Sequence, residues 1–170
     1  IKSIIKPHEE DVITPLSTVW GENLDPDNVL PEYPRPQMRR FSYLSLNGRW
    51  DYAITSSPFV PSVFDGTILV PFSPESSLSG VNRQLKPEEF LWYRRMLPGL
   101  PASSASFCTI LHFDAVDYKA EVYVNGHHAI THQGGYLPFS IDITEYLKED
   151  NENQLLVKVQ DTTSLRFITF

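Results

Sequence analysis

The sequence predicts an all-β protein, an antiparallel β-sandwich, and three observations carry that prediction. Two short runs have apolar residues at every second position, Ala120-Val122-Val124 and Phe139-Ile141-Ile143, which is typical of strands with one buried face. Asn125-Gly126 favours a tight hairpin turn, because both residues tolerate positive φ. Similar runs recur roughly every 10 to 15 residues with turn residues between them, a spacing typical of sandwiches.

Taken in order, the chain opens with a proline-rich segment, residues 1–40, that lacks periodicity and is expected to form an extended arm. Proline fixes its own φ and disfavours helix at the residue before it. The Ser/Pro-rich segment 71–90 is expected to be a loop, and loops of that length are usually functional or disordered. Gly134-Gly135 predicts a corner that lets Tyr136 and Phe139 pack. Strands are expected at 50–54, 67–70, 91–97, 106–113, 120–124, 139–143 and 155–159.

Composition excludes several classes of partner. The net charge of −7, from 14 basic and 21 acidic residues, argues against nucleic acid, whose binding needs a basic patch. Arg94 and Arg95 do not form one, since neighbours on a strand point to opposite faces. No apolar segment approaches the roughly 20 residues that span a bilayer, and no signal peptide opens the chain. A membrane partner is therefore not expected; a cytoplasmic location is favoured, although a mature exported form fits equally well.

The chain has one cysteine, Cys108, which excludes an internal disulfide. It sits in the apolar run 107–111, where a buried and inert thiol is the expectation.

Several motifs occur in an order that resembles one known family. They are Leu46-Asn47-Gly48-Arg49-Trp50, Val70-Pro71-Phe72-Ser73, Leu91-Trp92-Tyr93-Arg94-Arg95, Phe113-Asp114-Ala115-Val116, Val122-Tyr123-Val124-Asn125-Gly126, His132-Gln133-Gly134-Gly135-Tyr136-Leu137-Pro138-Phe139 and Asp142-Ile143-Thr144. Together they resemble the N-terminal sugar-binding domain of glycoside hydrolase family 2, which includes β-galactosidases and β-glucuronidases. The resemblance covers about residues 30 to 163.

The resemblance implies a jelly-roll sandwich, galactose-binding-domain-like, that precedes an immunoglobulin-like domain and a catalytic (β/α)₈ barrel. In that family the acid/base and nucleophile glutamates lie on the barrel, which these residues do not include. The domain is then expected to have no catalytic residue and no cofactor, to buttress its downstream barrel and to help shape the sugar pocket. The implied divisions are an arm at 1–40, the jelly roll at 41–163 and an atypical tail at 164–170.

The tail departs from the family pattern. The family continues through a Gly/Trp-rich segment and a closing strand, and that segment supplies the domain's usual polar contact to the sugar. Residues 164–170 do not match it.

A sugar site combines aromatic faces, which stack on C–H surfaces, with polar groups that bond hydroxyls. Asn82 and Arg83 in the 71–90 loop, and Tyr136 beside the glycine pair, are candidates for contact with a sugar or with another domain. Trp92 is a candidate platform, with core packing as the alternative. For His132 the first expectation is a hydrogen bond that fixes the corner, and a sugar or interdomain contact is the alternative.

Catalysis and metal binding by this chain alone are not expected. Glycoside hydrolysis needs two facing carboxyl groups, and the adjacent Glu88-Glu89 point apart in strand or helix; the distant pair Asp114 and Asp142 stays open. His127, His128 and His132 lack a Cys or carboxylate at a recognisable ligand spacing.

Two other functions also stay open. The chain could be an autonomous carbohydrate-binding module, which titration with galactosides and glucuronides would decide. It could equally be a structural domain whose partner is protein, in which case an exposed apolar patch and self-association are expected.

Overall fold

The computed structural model describes residues 16–35, 37–40, 42–98, 108–148 and 152–162. Within them almost all regular structure is β-strand, with one four-residue helix, α1 (Val19–Glu22), and two short 3₁₀ turns, Ser77–Ser79 and Thr144–Tyr146. The strands are β1 (Gly48–Thr55), β2 (Gly66–Val70), β3 (Phe90–Leu97), β4 (Ile110–Phe113), β5 (Lys119–Val124), β6 (His127–Gln133), β7 (Phe139–Asp142) and β8 (Asn153–Gln160). In the described ranges no helix is long and apolar enough to cross a bilayer.

The strands form two sheets. Six of them pair in the order β2-β1-β3-β8-β5-β6, and β4 pairs with β7 in a smaller sheet. All of these pairings are antiparallel. The chain crosses to the small sheet at β4 and again at β7, so β8 lies beside β3 and β5, which come from distant parts of the sequence. The predicted antiparallel sandwich of jelly-roll type is confirmed.

The core lies on the face of the large sheet that meets the small one. Alternate residues of β5 supply part of it, since Ala120, Val122 and Val124 are each 0% exposed. The odd-numbered residues of β8 and the buried Ile143 complete this layer. The period-2 pattern in the sequence therefore located the buried face correctly.

The opposite face of the large sheet carries a second, smaller cluster. Ala53, Trp92 and Leu156 are buried there, packed against the rings of Phe64, Phe90 and Tyr123.

The adjacent arginines point to opposite faces, as predicted. Arg94 donates two hydrogen bonds to Asp51 Oδ2, at 2.9 and 2.7 Å, and lies over the Phe64 ring. Arg95 instead donates to the carbonyl oxygen of Leu46 at 2.8 Å.

The β5–β6 hairpin has the predicted turn. Asn125 and Gly126 have φ values of 52° and 84°, which is the left-handed pair that a two-residue type I′ turn needs. The pairing runs from Lys119 opposite Gln133 to Val124 opposite His127, with an irregularity after Val122.

The described part of the N-terminal arm packs against the start of β1. Arg49 Nε lies 3.3 Å from Asp27 Oδ1, and Asn47 Nδ2 donates to the carbonyl oxygen of Leu30 at 3.5 Å. Val29 is buried, at 3% exposed. Residues 1–15 of the predicted arm lie outside the described residues, and the predicted domain boundaries stay predictions.

The expectation for the one cysteine is wrong. Cys108 is exposed rather than buried, because β4 begins only at Ile110 and the cysteine precedes the buried part of the apolar run. Asn153 is the first residue of β8 and is 0% exposed.

Candidate functional site

The corner between β6 and β7, residues 134–138, is held by contacts from two sides. Gly134 has a φ of 120°, and its N–H donates to the carbonyl oxygen of Tyr118 at 2.9 Å. His132 Nε2 donates to the carbonyl oxygen of Gly134 at 3.2 Å, which is the hydrogen bond expected from the sequence. A Cβ placed on Gly135 would lie 2.5 Å from Asp117 Oδ1. The backbone at this corner therefore approaches the 114–118 loop more closely than a side chain would allow.

A stack of three rings supports the same corner. The His132 ring lies on the Phe139 ring with centroids 4.2 Å apart and planes 13° apart. Phe139 in turn stacks on Phe113 of the small sheet at 4.7 Å and 11°. Offset stacking of this kind adds to burial, so the corner is fixed to both β6 and β4.

The corner presents two large side chains to solvent. Tyr136 is 96% exposed and Leu137 is 69% exposed; we call these two residues the 136–137 knob. The expectation that Tyr136 packs is wrong, since its side chain is 96% exposed. Phe139 does pack as expected.

Asn82 and Arg83 lie on the exposed part of the 71–90 loop. Asn82 has a φ of 52°, a conformation that asparagine tolerates better than most residues. The Arg83 guanidinium is paired with Glu89, and the Arg83 N–H donates to the carbonyl oxygen of Pro74 at 2.9 Å. Arg83 is thus tied within its own loop, and its side chain is still 44% exposed.

Trp92 is buried on the outer face of the large sheet. It is 1% exposed, and its Nε1 atom has no hydrogen-bond partner in the described part of the chain. A stacking platform needs an open ring face, so this burial favours the alternative of core packing. The structure brings His132 and Tyr136 to one corner, and it places Trp92 on the other side of the large sheet.

A cleft of about 350 Å³ opens between the large sheet and the segments that follow β2 and β4. Its described walls are mainly apolar and aromatic, with the acidic or hydroxyl side chains of Ser73, Glu75, Tyr93, Asp117 and Asp161. The half-buried Tyr93 is one of these, and its partial burial, together with the nearby Glu75, holds the Tyr93 pKa far above its ordinary value. The sequence singled out neither this cleft nor Asp117, since both depend on how loops from separate parts of the chain meet.

The sequence matches the sugar binding domain of glycosyl hydrolases family 2 over residues 82–169, just over half of the chain. The chain belongs to this family. Among similar curated proteins, the β-galactosidase of Thermoanaerobacter pseudethanolicus is 52% identical over 50 residues, which are 29% of this chain and 7% of that protein. A β-glucuronidase of Formosa agariphila is 37% identical over 71 residues, 42% of this chain and 7% of that protein.

Solved structures show the same fold. The β-glucuronidase of Lactobacillus rhamnosus superposes with a TM-score of 0.57 and 30% identity, over 70% of this chain and 21% of that one. The family 2 chain described here thus spans less than a quarter of this structural relative and a smaller share of the two curated relatives.

The carboxylate pair that the sequence left open is separated in this family 2 domain. Asp142 pairs with Ile110 at one end of β4, whereas Asp114 follows Phe113 at the other end. The four residue steps from Ile110 to Asp114 correspond to about 13 Å of backbone along a strand, whereas the carboxyl groups of an inverting pair lie roughly 6.5–9.5 Å apart. The Asp142 carboxylate also accepts from the Thr144 N–H at 2.9 Å.

The histidines of the domain have local partners. His128 Nε2 lies 2.9 Å from Thr131 Oγ1, and the His127 ring faces Tyr146 at 6.0 Å. Within the described ranges no three His, Cys, Asp or Glu side chains converge on a point that could hold a metal ion.

The outer face of the large sheet carries a charged network centred on Glu121. Lys158 Nζ lies 2.6 Å from Glu121 Oε2, Lys119 Nζ lies 3.1 Å from Oε1, and the Tyr123 hydroxyl donates at 2.7 Å. Burial alone would raise the pKa of Glu121, but the hydrogen bonds from Lys158, Tyr123 and Lys119 outweigh it and lower the pKa to about 2.

This network predicts a specific pH dependence of stability. A carboxyl whose pKa falls from 4.5 when unfolded to about 2 when folded contributes stability above pH 4.5 and loses it as the pH falls towards 2. We expect Glu121→Gln to lower the free energy of unfolding at pH 7, with the deficit shrinking steadily between pH 4.5 and 2. Urea unfolding of both proteins at several pH values measures the difference between their free energies of unfolding. Glu88→Gln, on an exposed loop, serves as the control, and a deficit that is independent of pH would contradict the expectation.

Proposed function

We propose that this chain is the non-catalytic N-terminal domain of a family 2 glycosidase, where it buttresses the catalytic barrel and helps to shape the sugar pocket. The observation that carries the proposal is the 136–137 knob, exposed on a corner that hydrogen bonds and stacked rings hold in place. A large side chain on a backbone that is already held in place costs less ordering entropy on contact than one on a flexible loop, which favours a role as an interface anchor.

The relatives support a β-glycoside as the substrate of the whole protein. Those matched here are named β-galactosidase and β-glucuronidase, and this chain corresponds to only a small share of each. We therefore propose that the glycosidic bond is cleaved by a barrel that lies outside these residues. Asn82 and Arg83 are the proposed pocket-side contacts of the loop after β2, and His132 is the proposed support of the knob.

A chimaera tests the buttressing role. The matched region of the Lactobacillus rhamnosus β-glucuronidase is replaced by this domain, and Tyr136→Ser is introduced. We expect kcat/KM for a chromogenic β-glucuronide to fall at least about fivefold, since one interface anchor is typically worth 1–2 kcal/mol or more. The same substitution in the isolated domain should leave its Tm unchanged, because Tyr136 is 96% exposed.

The matched control is Phe59→Ser, an exposed aromatic residue on the β1–β2 loop (78% exposed). If the Tyr136→Ser and Phe59→Ser chimaeras have equal kcat/KM values, the 136–137 knob is not part of the proposed interface.

Two alternatives are separated by simple measurements on the isolated domain. Hydrolysis of β-glucuronides or β-galactosides by this domain alone would contradict the non-catalytic role. An autonomous binding module would titrate with a Kd well below millimolar, whereas we expect nothing tighter than about 1 mM. A self-associating structural domain would sediment as a dimer that Tyr136→Ser dissociates.

A further inference from the structure

The sequence contains two Asn-Gly steps, Asn47-Gly48 and Asn125-Gly126. An asparagine followed by glycine is prone to deamidation, because glycine has no side chain to hinder attack by its own backbone nitrogen. That nitrogen bonds to the side-chain carbonyl carbon (Cγ) of the asparagine, and its proton leaves with the amide nitrogen as ammonia. Water then opens the succinimide ring to aspartate or isoaspartate. The reaction needs no catalyst, so the freedom of the asparagine amide governs its rate.

The side-chain amide of Asn125 is held by three hydrogen bonds. Its Nδ2 donates to the Tyr146 carbonyl oxygen and to Asn153 Oδ1, each at 2.7 Å. Its Oδ1 accepts from the Gln154 N–H at 2.9 Å. These partners belong to the 3₁₀ turn after β7 and to the start of β8. The amide is therefore fixed by segments outside its own hairpin.

The glycine of the same step is open to solvent. Gly126 is exposed, and no atom lies within 4 Å of the position that its Cβ would occupy. Ring closure expels Nδ2 of Asn125, so the reaction must break both hydrogen bonds that this atom donates. Protection of the step therefore depends on the hydrogen bonds of the Asn125 amide and not on burial of Gly126.

We propose that Asn125 is a deamidation site that the folded domain keeps closed and that unfolding opens. In the folded chain the reaction proceeds only through the small population in which the amide has left its partners. An aspartate formed at this position has no N–H to donate, and its charge would face the oxygens of Tyr146 and Asn153 that had accepted from the amide. Deamidation of the unfolded chain therefore weakens the domain that refolds. The inference concerns the domain itself and does not depend on the proposed function.

Mass spectrometry of tryptic peptides tests the proposal on the full chain, because the two Asn-Gly steps fall in separate peptides. The protein is incubated at one pH and temperature, in buffer and in concentrated guanidinium chloride. We expect Asn125 to deamidate at least about tenfold more slowly in buffer, since each of its three hydrogen bonds is worth about fivefold. Equal rates at Asn125 in the two solutions would overturn the proposal.

The variant Asn153→Ala tests whether the amide bonds give the protection, because it removes one acceptor of Asn125. In buffer we expect the rate at Asn125 to rise about fivefold, the worth of one net hydrogen bond, and the rate at Asn47 to stay the same. Asn23→Ala, at an exposed position after α1, is the matched control and should change neither rate. An equal rise at both steps would indicate global unfolding, and no rise would show that the amide bonds do not protect; either result overturns the proposal. The wild-type comparison in the two solutions stands even if Asn153→Ala fails to fold.

Discussion

The substitution Asn153→Asp should lower the free energy of unfolding by about 2–4 kcal/mol, as measured by urea unfolding at pH 7. Asn153 is 0% exposed at the start of β8. Its Oδ1 accepts from the Lys148 N–H and from Asn125 Nδ2, each at 2.7 Å, and its Nδ2 donates to the Lys148 carbonyl oxygen at 3.3 Å. Aspartate keeps the acceptors but loses the donor, and it places a negative charge where water does not reach.

The destabilisation caused by Asn153→Asp should extend to the β5–β6 turn, because Asn125 of that turn is hydrogen-bonded to Asn153. Asn125 donates to Asn153 and to the Tyr146 carbonyl oxygen, and its own Oδ1 accepts from the Gln154 N–H at 2.9 Å. The same change at Asn23, an exposed residue after α1, is the control and should cost less than about 0.5 kcal/mol. A loss at Asn153 as small as that would show that this amide network adds little to stability.

The second large effect is expected at Gly135. We expect Gly135→Ala to destabilise the domain by about 1–3 kcal/mol, the usual cost of forcing a methyl group into occupied space. The new Cβ would lie 2.5 Å from Asp117 Oδ1 and 2.7 Å from its Cγ. Thermal unfolding followed by circular dichroism measures the change.

A double-mutant cycle identifies the cause. Asp117→Ala removes the two closest atoms and leaves Cβ at 3.1 Å, so Gly135→Ala should cost much less in that background. Gly66→Ala is the matched control, since its Cβ would meet Tyr52 at an ordinary 3.5 Å. If Gly135→Ala costs the same with and without Asp117, backbone conformation rather than this contact limits the position.

The features that the sequence predicted are those that depend on local chemistry. Period-2 alternation located the buried face of β5, and Asn125-Gly126 specified its turn, because both signals act between near neighbours. His132 was expected to bond the glycine corner, two residues away, and it does. The motif series identified the family, since seven short patterns at fixed order constrain one another.

The features that sequence reasoning missed depend on the approach of distant segments. Tyr136 was expected to pack, but its ring lies in solvent, whereas the neighbouring Gly135 lies close to the distant Asp117. Cys108 sits in an apolar run, yet the run enters the sheet only at Ile110. The cleft is lined by segments from separate parts of the chain, and no local pattern reports how distant segments meet.

The place of β8 in the large sheet has a consequence for how the domain assembles. β1, β2 and β3 pair among themselves, β5 pairs with β6, and β8 alone joins β3 to β5. During synthesis the two halves of the sheet therefore remain unjoined until residues 153–160 have emerged from the ribosome, and until then the aromatic faces of both halves are open to solvent. Such pairing across long sequence separations is slow and exposes the nascent chain to aggregation. Of the described strands, β8 is the last to be made and the one that pairs with both β3 and β5, so a chain that stops before residue 153 would lack the strand that joins the two halves of the large sheet.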